Sequence, residues 1–189
     1  MDGLEENSVQ LGQFDNSWYD PGGNGIKRLL WYITNVLFFK NPFSLISGLK
    51  VGMLKLFGAK VGNGVVIKPS VNIKYPWLLT VGNDVWLGEG VWIDNLARVT
   101  IGDNVCLSQG CMLLTGSHNY KKVTFDLMVK PILLDEGSWV GAQSLVCPGV
   151  HMNSHSILSA GSVATGDLEP YTIYQGNPAT PKRKRIITD

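Results

Sequence analysis

The chain has 189 residues, of which 44% are hydrophobic and 16% charged, and its formal net charge is +1. That suits a single domain with ample core material and gives no electrostatic reason to expect a nucleic-acid partner. Cys106, Cys111 and Cys147 form no CxxC pair, which argues against a disulfide framework or a thiolate zinc site.

Residues 1–58 read as a helical extension. The first ten residues, MDGLEENSVQ, are acidic and lack the basic-then-apolar order of a secretory signal. The longest apolar run, Leu29 to Phe39, falls short of the roughly 20 residues a membrane span needs, so the expected compartment is a reducing cytoplasm. IKRLLWYITNVLFFK forms one helical segment. Asn41-Pro42 offers a cap and first-turn proline for a second, with Gly58 as its stop. Two roles fit residues 26–57. One is a cap over the open end of the repeats that follow, which would otherwise be an aggregating sheet edge. The other is a platform for peripheral membrane contact, with Lys27, Arg28, Lys40, Lys50 and Lys55 toward anionic lipid. The cap is the favoured expectation.

From residue 59 to 166 the sequence repeats itself. VGNGVVIKPSVNIKYPWLLT, VGNDVWLGEGVWIDNLARVT and IGDNVCLSQGCMLLTGSHNY share one plan, and within it runs a period of six. An aliphatic residue or Met stands at 61, 67, 73, 81, 87, 93, 101, 107 and 113, then at 134, 140, 146, 152 and 158. A small or short residue usually falls four places later, as at Val65, Val85, Val105, Cys111, Ser144 and Ser162; Trp77 is the exception. Six fits neither the 3.6 of a helix nor the 2 of a strand. It fits a coil of three short strands joined by tight turns, stacked about 4.8 Å apart. About five coils are expected.

The unit [LIV]-G-x-x-[VSA]-x resembles the hexapeptide repeat of acyltransferases built on a left-handed parallel β-helix. The handedness is what that resemblance implies; the general rule for strand crossovers would give the right-handed sense. The period is interrupted from 119 to 131, NYKKVTFDLMVKP, and an insertion after the third coil should project and build a site. Residues 167–189 form a C-terminal extension.

Transfer of an acyl group to a hydroxyl needs a base for the hydroxyl proton, and His is the usual one. The chain offers His118, His151 and His155. His118, in TGSHN, stands where coil meets insertion, whereas His151 and His155 fall at ordinary repeat positions. Asp126, Asp135 or a backbone carbonyl could orient the His118 ring.

PGGNGIKRLLW, LFGAKVGNGVVIKPSVNIKYPW and LLTGSHNY are similar to colanic-acid-type exopolysaccharide O-acetyltransferases, over nearly the whole chain. The repeats are also similar to the maltose and galactoside O-acetyltransferases. The resemblance implies an enzyme that moves an acetyl group from acetyl-CoA to a sugar or lipid-linked saccharide, with His118 as catalytic base and no metal. It implies a homotrimer whose active sites lie between subunits. It places Trp139, Gly141, Ala142, Ala160, Gly161 and Thr165 along the acetyl-CoA groove, with Lys182 and Arg183 near the CoA phosphates. Gly166 and Thr180 stand where the family usually has basic residues. Asp94 and Asn95 are the expected acceptor contacts. Other readings keep the fold but change the chemistry: another acyl group, an amino-sugar acceptor, or a non-catalytic scaffold. A γ-class carbonic anhydrase would need three His ligands in a spacing that His151 and His155 do not supply.

Overall fold

Strands of two or three residues follow one another at the spacing of the repeat and stack into three parallel sheets. The computed structural model describes residues 8–189. Sheet A contains Lys60–Val61, Leu79–Val81, Val99–Ile101, Ile132–Leu134 and His151–Met152. Sheet B contains Val66–Ile67, Trp86–Leu87, Cys106–Leu107, Trp139–Val140 and Ile157–Leu158. Sheet C contains Asn72–Ile73, Trp92–Asp94, Met112–Leu114, Leu145–Val146 and Val163–Ala164. The chain visits A, B and C in turn, and five coils are complete.

Register turns the six-residue period into a core. Ile67 pairs with Leu87, Leu87 with Leu107, Leu107 with Val140 and Val140 with Leu158, so one aliphatic ladder runs up the inside of sheet B. Equivalent ladders climb sheets A and C. Every aliphatic position of the period is buried except Val61, which is half-buried on the first rung. A slip of one residue would carry each inward side chain to the solvent face, so the register is tightly specified.

The corners explain the turn residues. Between sheets A and B the left-handed backbone position is held in successive coils by Gly64, Asp84, Asn104, Gly137 and His155. Between B and C it is held by Ser70, Gly90, Gly110, Gln143 and Gly161. Glycine adopts this conformation without a Cβ penalty and Asp or Asn tolerates it, which is why these types recur at fixed offsets.

The N-terminal helices close the first coil by replacing the partners it lacks. Helix α1, Gly25–Thr34, starts at Asn24, whose side chain accepts from the Lys27 amide at 2.9 Å, and continues as a π-helical turn, Asn35–Phe39. Trp31 donates its indole N–H to the Ile73 carbonyl at 2.9 Å, and the Asn35 amide donates to Asn72 Oδ1 at 2.7 Å. Helix α2 is Ser47–Leu56. Ser47 Oγ accepts from the Ile67 amide at 2.8 Å, and buried Lys50 donates to the Lys68 carbonyl at 2.9 Å. Trp31, Phe39 and Leu54 are buried against the core.

The second helix does not begin at Asn41-Pro42 as its sequence suggests. Asn41 Oδ1 instead accepts from the Phe43 amide at 2.9 Å, and the chain stays irregular until Ser47. Docking decides this: a helix starting at Pro42 would lose the contacts that Ser47 and Lys50 make with the first coil's edge. Gly58, at φ +100, ends the segment.

The far end is closed from the same sheet. Thr172–Gly176 pairs in parallel with Ile157–Leu158, adding a sixth rung to sheet B, and Ala179–Lys184 folds back antiparallel over it. The extension expected from 167 onward therefore continues one face of the solenoid before leaving it. Replacing Ile93, in the middle of the sheet C ladder, by Ala should cost about 2–5 kcal/mol. Denaturant unfolding should show a lower midpoint at unchanged slope.

Candidate active site

The insertion leaves the third coil at the corner between sheets C and A and forms a two-stranded hairpin. Gly116–His118 pairs antiparallel with Leu127–Val129, and His118 stands opposite Leu127. The hairpin therefore begins at Gly116, before the point where the repeat visibly breaks. A Cβ at Gly116 would press on the Leu96 side chain of the coil below, which would have to turn aside.

His118 is held on three sides. Its Nδ1 lies 2.9 Å from the Phe125 carbonyl oxygen. Its ring stacks on the Phe125 ring at 4.4 Å between centroids and 7° between planes, and Phe14 approaches at 5.7 Å. A carbonyl can only accept, so Nδ1 carries a proton, and in the neutral ring the lone pair lies on Nε2. Of the partners considered for this ring, the structure uses a backbone carbonyl. Asp126 is engaged by Lys122 and Thr124, contacts that hold its carboxyl below the usual carboxylate range. Asp135 pairs with His151 Nε2 at 2.8 Å, on sheet A. Phe125 has φ +50. Its role was invisible in the sequence, since a main-chain carbonyl leaves no residue signature.

The residues expected on the donor side fall on other faces. Trp139 stands outward on sheet B, and its indole N–H donates to Ser108 Oγ at 2.8 Å. Trp139 and Arg183 line one cleft of about 440 Å³, together with Ile157 and Ile173. Lys182 is exposed on the same returning strand but borders a different hollow, beside Glu169 and Tyr174. Lys184 and Arg185 are structural: Lys184 donates to Thr172 Oγ1 at 2.8 Å, and Arg185 to the Gly137 carbonyl at 2.8 Å.

Gly141, Ala142, Ala160 and Gly161 meet at the corner between sheets B and C. The Gly161 amide donates to the Ala142 carbonyl at 2.8 Å, and a Cβ on Gly141 would strike the Ala160 amide. Thr165 does not join them. It follows the last strand of sheet C and lies exposed at the C–A corner, the one from which the His118 hairpin emerges. One protomer thus separates His118 from most of the expected donor groove by a face of the prism.

On the acceptor side, Asp94 and Asn95 part company. Asp94 forms an ion pair with Lys74 at 2.9 Å and borders a cleft of about 370 Å³ with Tyr75, Trp92, Tyr32 and Arg28. Asn95 cannot reach a ligand, contrary to the sequence expectation. It is fully buried, accepting from the Tyr75 amide at 2.9 Å and donating to the Tyr75 carbonyl at 2.7 Å. Its amide stitches two coils at a corner that lacks regular strand pairing. Among the described residues, no group of three or more His, Cys, Asp or Glu side chains converges as a metal site.

No protein-family model matches the chain. A protein of Escherichia coli (strain K12) named as the colanic acid biosynthesis acetyltransferase WcaF is 36% identical over 168 residues, covering 89% of this chain and 92% of that one. The chain belongs to the hexapeptide-repeat acetyltransferases. Galactoside O-acetyltransferase of Escherichia coli is 28% identical to this acetyltransferase over 129 residues, 67% of this chain and 64% of its own. Among solved structures, a galactoside acetyltransferase in complex with coenzyme A has a TM-score of 0.74 at 25% identity, covering 84% of this chain and 80% of that one. The hexapeptide-repeat acetyltransferase VCA0836 of Vibrio cholerae, complexed with acetyl-CoA, superimposes with a TM-score of 0.76 at 21% identity, covering 86% and 88%. The fold is that of the left-handed parallel β-helix.

The stack on Phe125 makes this acetyltransferase testable at a position outside the repeat. Phe125→Ala keeps the carbonyl but removes the ring that fixes the imidazole plane. Turnover should fall about tenfold with the KM for the acyl donor unchanged, and Phe125→Tyr should retain the parent rate.

Proposed function

We propose that the protein transfers the acetyl group of acetyl-CoA to a hydroxyl of a saccharide precursor, by direct attack, with His118 as general base. The observation that carries this reading is the Nδ1 contact to the Phe125 carbonyl at 2.9 Å, which in the neutral ring places the proton on Nδ1 and the lone pair on Nε2. Nε2 takes the acceptor's hydroxyl proton as that oxygen attacks the thioester carbon. The tetrahedral intermediate then collapses, the C–S bond breaks, and the proton passes from Nε2 to the departing CoA sulfur. The coenzyme A and acetyl-CoA complexes of the structural neighbours support the donor, and the WcaF and galactoside acetyltransferase relatives support a saccharide acceptor.

The working unit is a homotrimer. His118 projects at the C–A corner, while Trp139, Arg183 and the Gly141–Gly161 corner lie across sheet C or on sheet B. A three-fold arrangement seats the hairpin of one prism against the donor faces of the next, completing a site that each protomer holds only in halves. Asp94 and the aromatic side chains beside it suit the hydroxyls and apolar faces of a sugar ring. The reaction takes place in the cytoplasm, where acetyl-CoA is available.

In a thiol-release assay with acetyl-CoA and a panel of sugars, His118→Ala should keep its fold and CoA affinity while losing turnover by about 10² or more. Parent-like turnover would remove His118 from the mechanism. Trp139→Ala should raise the KM for acetyl-CoA. Co-expressing the two variants should restore part of the activity, because a mixed trimer contains a seam with both residues intact. Complementation that never exceeds the single variants would assign the whole site to one protomer.

A further inference from the structure

Between Asp20 and Asp84 the sequence holds Lys27, Arg28, Lys40, Lys50, Lys55, Lys60, Lys68 and Lys74, and neither Asp nor Glu. Of the chain's fifteen acids five precede this stretch and ten follow it, so the segment that builds α1, α2 and the first coil carries cations alone.

That same end is apolar on its outer side. Helix α1 turns Trp31, Asn35 and Phe39 to the first coil; the opposite stripe, Ile26, Leu30, Ile33 and Leu37, is exposed at helical spacing. The connection to α2 adds Phe43 and Leu45, exposed by 88% and 74%, and α2 ends on Leu56 at 82%. Phe43, Leu45, Leu37 and Leu49 wall a shallow cleft of about 440 Å³. Arg28, Lys40 and Lys55 are exposed on the same helices. Soluble surfaces scatter such side chains singly; a contiguous set marks a contact.

Neither helix is long and apolar enough to cross a bilayer, so the set can only lie on a surface. We infer that the capped end of the prism docks on an anionic lipid bilayer, its exposed aliphatic and aromatic side chains among the acyl chains and its cations at the headgroup phosphates. The charge selects this occupant. A second copy of the same basic face would be repelled at close range, whereas an anionic headgroup layer is complementary to it. Docking needs no substrate and stands apart from acetyl transfer, so an inactive protein would still dock.

The test is flotation of the full chain with vesicles of phosphatidylethanolamine and phosphatidylglycerol, against vesicles of phosphatidylcholine alone. The parent should float with the anionic vesicles, and binding should weaken about tenfold on neutral vesicles or at raised salt. Phe43→Asp with Leu45→Asp should abolish flotation while keeping the parent's melting temperature. Lys40→Glu with Lys55→Glu, which leaves the apolar side chains in place, should weaken binding to anionic vesicles alone. A parent that never floats, or an aspartate variant that floats as well as the parent, overturns the inference. So does a solution mass that falls from the parent's to the monomer's in the aspartate variant, which would give this face to contacts between copies of the chain.

Discussion

The whole molecule depends on one constraint: each rung must place an aliphatic side chain directly above the last, at every third of a turn. Stacked strands of two or three residues have little pairing of their own, and an isolated coil would bury almost nothing. Their stability comes from the three ladders led by Val81, Ile67 and Ile73 and from main-chain bonds passed rung to rung, such as Val66 to Val85 and Trp86 to Val105. Nothing in such a stack ends by itself. The first and last coils must be given partners, and the chain devotes its two termini to that task.

Both closures work by imitation. At one end Trp31, Asn35, Ser47 and Lys50 offer side-chain groups where a preceding coil would have offered amides and carbonyls. At the other, a strand from beyond the repeat pairs as a rung would, and its return strand covers the exposed edge. The helical cap leaves a cost on its far side. Helices amphipathic enough to bury Trp31 and Leu54 need not be polar opposite, and here they are not.

How much of this the sequence disclosed depended on whether side chains or main chain carried the information. The ladders were legible because period six is a side-chain pattern, and His118 because it marks where that pattern breaks. The start of α2 was not, since Asn41-Pro42 is a sound local start that tertiary contacts at Ser47 override. Nor was the partner of His118, a carbonyl whose position follows from a left-handed Phe125. Asn95 misled for a related reason: a corner amide that bridges two coils and one that grips a sugar look alike in a sequence. Thr165 belongs to a recognisable run with Gly161, yet two strand residues between them carry it around the next corner.

A solenoid also measures distance. The imidazole leaves the third coil and the helical cap lies beneath the first, so about two rungs, roughly 10 Å, separate them along the axis. If the cap rests on headgroups and His118 is the base, that interval fixes the height at which acylation occurs. On a glycan tethered to lipid, only the sugar standing at that height would be modified. One more coil of eighteen residues inserted below the third would lift His118 by a single rung and draw it away from the Asp94 cleft.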